Sequence, residues 1–487
     1  MQKARVPLTN FQFGEVSPSL ISRTDTRVYN NSAQKIENFF LRAEGGVIKR
    51  AGLKKIYEFD TSIDTAKVQQ HRLVPFIFSD DERYIGSLEH QKIRVFQIDT
   101  SNNVTLAATL TADSSGATIP ITNLNMHEVT YAQAGDVMFI AHQTFMVRKL
   151  VRTGLTSFQM ETKTFDTQSA GAKIYQPYFQ FQDLGVTLDP SASSGNGITL
   201  TTSEPYWDLT GSQSGGNYPD SKHVGLTIKY HDQEITITSV QSATQATGNA
   251  LATLKKKLKV DSFRTDNGVA TVTVTLVNHG FSAGDAFVVS NANTVGGIAA
   301  SNLNGSRTVL EVIDDNVFTF NAAANASDSV AGGGTPFLET HAPATNWSEQ
   351  SYSVLRGFPG AVTFHQNRLW YAGTIAQPDG LWASKSNQFF NFDIGDGSDN
   401  DSIDIRAAIG EVNTIKHLVS NRDLQAFTST DEFIVPAFVE KPTTPTNATI
   451  KRQTPFGSSF VRPYVFDGAT VYVQGSGEIV REMLFDD

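Results

Sequence analysis

The densest group of chemically capable side chains lies in "FDIGDGSDNDSIDI", residues 392–405, where Asp393, Asp396, Asp399, Asp401 and Asp404 crowd one predicted loop. Carboxylates at this density are the ligands that a calcium ion selects. The spacing departs from the D-x-[DN]-x-[DN]-G pattern, and no glutamate follows where a bidentate ligand is needed, so a solvated acidic loop is favoured over a metal site. In a ring of several copies, the same loop would surround a central hole with like charge. The ten histidines are scattered, with no HxH or HExxH pair. "HEV" at 127–129 lacks the second helical histidine that a zinc site requires. His365 stands beside Asn367 and Arg368 at a strand end, where a hydrogen bond across a turn is favoured over catalysis. No nucleophile elbow, P-loop or dinucleotide fingerprint occurs in a strand-to-helix context. The sequence therefore nominates no catalytic residue, no metal and no cofactor, and an enzyme is not expected. The one basic run, "LKKKLK" at 254–259, reads as a solvated helix end whose cations complement the helix dipole.

The elements that position these residues follow from composition. Charged residues make up 18% of the 487, and Thr, Ser, Asn and Gly fill the gap, which favours strands and turns. The chain has no cysteine, which removes disulfides and thiolate metal sites. A formal net charge of −10 repels nucleic acid on average, so sequence-specific DNA binding is not expected. No stretch is apolar enough to span a membrane. Lys3 and Arg5 are not followed by the apolar core of a signal peptide, so independent secretion is not expected either.

Five segments repeat one strand–turn–strand–turn–strand pattern: 73–98, 128–151, 361–386, 415–439 and 462–485. Gly135-Asp136 and Asp467-Gly468 are the plainest hairpin turns. Neighbouring copies on either side of the interruption lie roughly 50 residues apart, the spacing of propeller blades. The predicted fold class is mainly β: propeller-like repeated meanders, with a plain sandwich as the alternative. A long interruption separates the second and third copies and reads as small β-sandwich or barrel modules inserted into a propeller loop, 181–260 and 261–345. The propeller-like parts are then 61–180 and 346–487. Residues 1–60 form a mostly irregular arm. Periodic apolar residues predict two short helices, "NSAQKIENFF" at 31–40 and "GNALATLKKKLK" at 248–259.

The stretch "NFQFGEVSPSLISRTDTRVYNNSAQKIENFFLRAEGGVIKRAGL" near the start resembles the opening of the tail nozzle proteins of short-tailed bacteriophages, also called tail tubular protein B, and of related stabilisation or hub proteins. The matching residues include Gly14-Glu15, Ser17-Pro18, Arg23, Asp25, Tyr29, Gly45-Gly46 and Arg50. "YAQAGDVMFIAHQTFMVRKLVRTGLTSFQ", "FHQNRLWYAGTIAQPDGLWASKSNQFFNF" and "TPFGSSFVRPYVFDGATVYV" match in the same order. The resemblance implies a virion protein of the phage tail, made in the host cytoplasm. It implies a six-subunit ring below the portal that meets an adaptor ring and the tail fibres or spike, and a channel that retains and then conducts genomic DNA without binding it specifically. Nozzle proteins usually continue beyond the point matching Asp487, so this member is either compact or continues further. The five aspartates are then candidates for the channel lining. Phe11, Phe13, Leu20, Arg23, Asp25 and Tyr29 are candidates for contact with an adjoining subunit or the adaptor. The competing reading is a propeller that binds or cleaves glycan on the tail surface, with Trp207, Trp347, Trp370 and Trp382 stacking on sugars.

Overall fold

The computed structural model describes residues 10–20, 22–58, 71–395, 397–407, 413–436 and 442–484. They fall into two units, Met1–Val68 and Gln69–Asp487.

In the first unit a helical turn, Arg27–Asn30, starts at Thr26, whose hydroxyl accepts the Tyr29 N–H at 3.3 Å. It ends there because the Ser32 hydroxyl donates back to the Val28 carbonyl, competing with helix propagation. The helix predicted at 31–40 is therefore absent. Asn38 adopts a left-handed φ of 62°, and Phe39–Leu41 pairs with Val47–Lys49 as an antiparallel hairpin. β-preferring Phe, Val and Ile prevail there over a spacing that also fits a helix. Gly45, at φ 92°, closes the turn, and a Cβ there would stand 2.6 Å from the Asn10 carboxamide.

The second unit is mainly β and propeller-like. Four of its sheets are four-stranded antiparallel meanders: Arg72–Ile77 to Val104–Leu110, Thr130–Ala134 to Ser157–Thr162, Ala361–His365 to Ile403–Arg406, and Ile415–Ser420 to Lys451–Thr454. A fifth, Tyr464–Phe466, Ala469–Val473 and Val480–Met483, has three strands. The repeats predicted as three-stranded thus gain a fourth strand in four cases. These outer strands are half-exposed and carry a weak apolar signal.

Adjacent meanders share cores. Val74, Phe76 and Val95 of the first pack with Met138, Leu150 and Met160 of the second. Phe139 and Val147 of the second pack with Leu369 and Trp382 of the third. Trp370 and Ile403 of the third pack with Leu418 and Phe433 of the fourth. Phe427 of the fourth meets Tyr472 of the fifth at 5.0 Å between ring centroids. Each such side chain contributes about 1.5–3 kcal/mol on burial.

The interruption contains two sheets, nested rather than successive. Tyr178–Phe179 and Trp347–Gln350 run antiparallel in a seven-stranded sheet, so the chain leaves and rejoins the blades side by side. Within it, Lys255–Lys257 pairs with Phe337–Glu339 in an eight-stranded sheet. The basic run is thus a strand, not a helix end. Leu254 belongs to the core of the first module and Leu258 to that of the second, so the leucines never shared one helical face.

One buried ion cluster ties the seven-stranded sheet to the segment entering the third blade. Glu349, fully buried, accepts from Arg356 Nη2 at 2.7 Å and from the Tyr206 hydroxyl at 2.5 Å, with His223 Nε2 at 3.5 Å. Burial raises the Glu349 carboxyl, but His223 and Arg356 outweigh it and hold it below its ordinary value. Glu349→Gln leaves Arg356 with no carboxylate and is expected to cost roughly 3–5 kcal/mol. The fall of the denaturant midpoint measures it; an unchanged midpoint would contradict the role given to this cluster.

Candidate functional site

The acidic stretch is folded around an arginine. The second strand of the third blade, Arg368–Ala372, follows a two-residue turn in which Gln366 and Asn367 have φ of 48° and 57°, the left-handed pair that fits a hairpin. Arg368 is thereby placed under the 384–402 loop, buried, and donates to the carbonyls of Ser384 at 2.7 Å, Asp401 at 2.5 Å and Asp399 at 2.7 Å. Asp401 turns inward too. Its carboxylate pairs with Lys385 at 2.7 Å and accepts the Ser398 and Gly397 N–H groups at 2.8 and 3.1 Å. Burial pushes the Asp401 carboxyl up, but the Lys385 bond and these backbone donors outweigh it and hold the group below its usual range. Gly395, at φ 55°, lies so close that a Cβ would stand 2.4 Å from the Asp401 carboxylate.

The five aspartates therefore separate. Asp401 is buried and structural, which corrects its assignment to a channel lining. Asp399 is exposed. Asp396 lies outside the described residues. Asp393 pairs with Lys173 at 2.7 Å, and Asp404 sits in the outer strand Ile403–Arg406, opposite Trp382, rather than in a loop.

Asp393 and Asp404 border a recess of about 630 Å3 between the third blade and the outgoing strand of the seven-stranded sheet. Lys173, Lys229 and Arg406 face the same space, with Tyr178 and Phe179 along one side. The Arg406 guanidinium lies over the Phe179 ring at 4.1 Å, and Lys229 approaches Tyr178 at 5.7 Å. Burial, and then the neighbouring Lys173, lowers the Lys229 amine. Asp404 keeps one side open to solvent, yet crowding by protein raises its carboxyl to about 6, with Arg406 acting in the opposite sense. Glu234, on the strand paired with that of Lys229, accepts the Ile174 N–H at 2.8 Å. The arrangement is a joint of alternating charges that can position a polar solute or lock insert to blade. Among the described residues no group of His, Cys, Asp and Glu has the form of a metal site. Sequence reasoning missed Lys173, Lys229 and Arg406 because they are single cations far apart in the sequence, and no motif announces them.

The remaining sequence candidates resolve individually. His365 is buried and its Nδ1 lies 2.9 Å from the Ser420 hydroxyl, a link between the third and fourth blades. Glu128 of "HEV" pairs with His142 at 3.3 Å. All four tryptophans are buried in cores, which removes them as sugar platforms and corrects that part of the competing reading. In the arm, Arg23 and Asp25 form a bidentate pair with each other, at 2.9 and 3.0 Å. Phe13 and Leu20 are exposed, while Phe11 and Tyr29 are half-buried.

The chain matches no family model and no curated protein. Among solved structures it is similar to the phage phi92 endosialidase, at 12% identity and a TM-score of 0.18, over 81% of this chain and 60% of that one. It is also similar to an uncharacterized protein of Listeria monocytogenes EGD-e, at 8% identity and a TM-score of 0.19, over 86% of this chain and 96% of that one. The chain thus spans 60% of the length of the endosialidase chain, and likeness at this level carries no functional weight.

Two outcomes follow from this geometry. A carboxyl whose folded pKa is raised binds its proton more tightly in the folded state, so Asp404 makes stability fall as pH rises from about 4 to about 6. Asp404→Asn should flatten that part of the melting-temperature profile; an unchanged slope would contradict the crowding assigned to it. Gly395→Ala should loosen the 393–401 loop and admit protease there while the blades stay folded. Cleavage at the wild-type rate would show that the close approach to Asp401 is not needed.

Proposed function

We propose that the chain is a structural protein of a short phage tail, a nozzle or hub subunit whose copies form a ring that retains and then conducts genomic DNA. It acts in the virion after synthesis in the host cytoplasm, against an adaptor ring and tail fibres or spike, and six copies is the number that the resemblance implies. The reading is supported by the ordered resemblance along both flanks of the interruption. The observation that carries it is that large apolar side chains are exposed in the arm and in the fifth blade. Phe13, Leu20, Phe40 and Ile48 are exposed in the arm, and Tyr464, Phe466 and Val480 in the last blade. Large apolar side chains left exposed in this number are what a partner surface covers.

Charge supplies the transport property. Each phosphate contact by Lys or Arg adds affinity and drag, whereas an acidic wall keeps DNA mobile. Copies of a −10 chain make such a wall. Of the five aspartates, Asp399 and Asp404 are exposed within the chain, and these two are carried forward as lining residues.

The arm crosses to an adjoining subunit or to the adaptor. Sedimentation of the full chain is expected to give a multimer, and deletion of residues 1–22 should leave folded monomers that fail to join a tail. A truncated protein that assembles like the full chain would overturn the assignment of the arm.

A further inference from the structure

The outer strand of the third blade, Ile403–Arg406, turns Ile403 and Ile405 toward the core shared with the fourth blade, so Asp404 and Arg406 take its other face. That face borders the recess of about 630 Å3, a size within the roughly 300–1,000 Å3 of small-molecule pockets. Asp404 is exposed, and Lys229 and Tyr178 are half-buried, so water reaches all three. Crowding by protein nevertheless displaces the titration of each, upward for Asp404 and Tyr178 and downward for Lys229. Groups that solvent reaches and protein crowds line a concave space, not a flat surface.

A seam that only locked the insert to the blade would pair its charges. Two pairs are made: Lys173 with Asp393 at 2.7 Å, and Arg406 with Asp379, more loosely, at 4.0 Å. The Lys229 amine makes no hydrogen bond or ion pair with a described residue. Its strand, Thr227–Tyr230, sets it opposite Glu234 in the register, and that buried carboxylate supplies a counter-charge without a bond to the amine. Asp404 forms no ion pair among the described residues. The three donors of the amine and the acceptors of Asp404 are thus left to solvent or to a solute.

Charge selects the class of solute. The cations Lys173, Lys229 and Arg406 are answered by Asp393, Asp404 and Glu234, so the recess has no excess of either sign to hold an ion. An anion would meet two carboxylates there, and a cation would meet three cations. A neutral polyhydroxylated ring suits both signs, because its hydroxyls donate to carboxylates and accept from ammonium and guanidinium groups. Its C–H face suits the apolar part of the lining, Tyr178, Ile394 and Pro445. We propose that the recess binds one hexopyranose unit of a neutral saccharide, the Lys229 amine donating to one hydroxyl and the Asp404 carboxylate accepting from another. Unlike the buried tryptophans, these groups are open to solvent. The site belongs to the single chain and does not depend on how copies assemble.

Saturation-transfer NMR and calorimetric titration of the full chain test it, with the methyl glycosides of glucose, galactose, mannose and N-acetylglucosamine as probes. Glucuronate and glucosamine serve as charged counterparts. A neutral glycoside is expected to bind, and more tightly than either charged sugar. Lys229→Met and Asp404→Ala should each weaken that binding about tenfold or more, the effect of losing one hydrogen bond to a charged group, with the melting transition showing a folded chain. Asp404 is exposed, so its variant keeps the test decisive if Lys229→Met does not fold. Glucuronate or glucosamine binding more tightly than every neutral glycoside overturns the choice of a neutral ligand. No binding by any glycoside, or binding that survives both substitutions, overturns the site and leaves the recess a joint alone.

Discussion

A β-meander whose two faces are both apolar cannot be stable alone in water, and the larger unit is organised around that constraint. The middle blades place Leu, Val, Phe and Trp on both faces, and each face is covered by the neighbouring blade. Radial stacking satisfies this requirement with one repeated element, since each new blade covers the previous one and exposes a fresh face. In the fifth blade Tyr464, Phe466 and Val480 are exposed.

Polar joints appear where the stack is interrupted. The chain leaves the blades at Tyr178 and returns at Trp347 on adjacent strands, so the inserted modules need only one seam. That seam is charged: Lys173 with Asp393 on one side, and Arg356 with Glu349 on the other. Buried pairs of this kind add less net stability than apolar contact would, but losing one partner is costly, which fixes how insert and blade meet. Arg368 does the same for the acidic stretch by turning three carbonyls toward its guanidinium.

Much of the fold was legible because a two-residue period punctuated by turns survives in a single sequence. Gly135-Asp136 and Asp467-Gly468 sit in the two-residue turns expected of them. The outer strands were not legible: Val104–Leu110 is Thr- and Ala-rich, and Ile403–Arg406 is hidden inside an aspartate-rich run. The two predicted helices failed for different reasons: β-preferring Phe, Val and Ile take 39–49 into a hairpin, whereas leucines at helical spacing also suit residues divided between two cores, as Leu254 and Leu258 are. The acidic loop was found by composition, but its geometry depends on Arg368, Lys385 and Lys173, and no local pattern ties those cations to it.

The central claim is that copies of this stacked unit enclose an acidic passage. Electron microscopy of the assembled full-length protein, with the symmetry determined from the images and the chain placed in the density, tests it most directly. The account predicts a closed ring whose opening is faced by Asp and Glu. A single molecule at high concentration, or an opening faced by Lys and Arg, would contradict it.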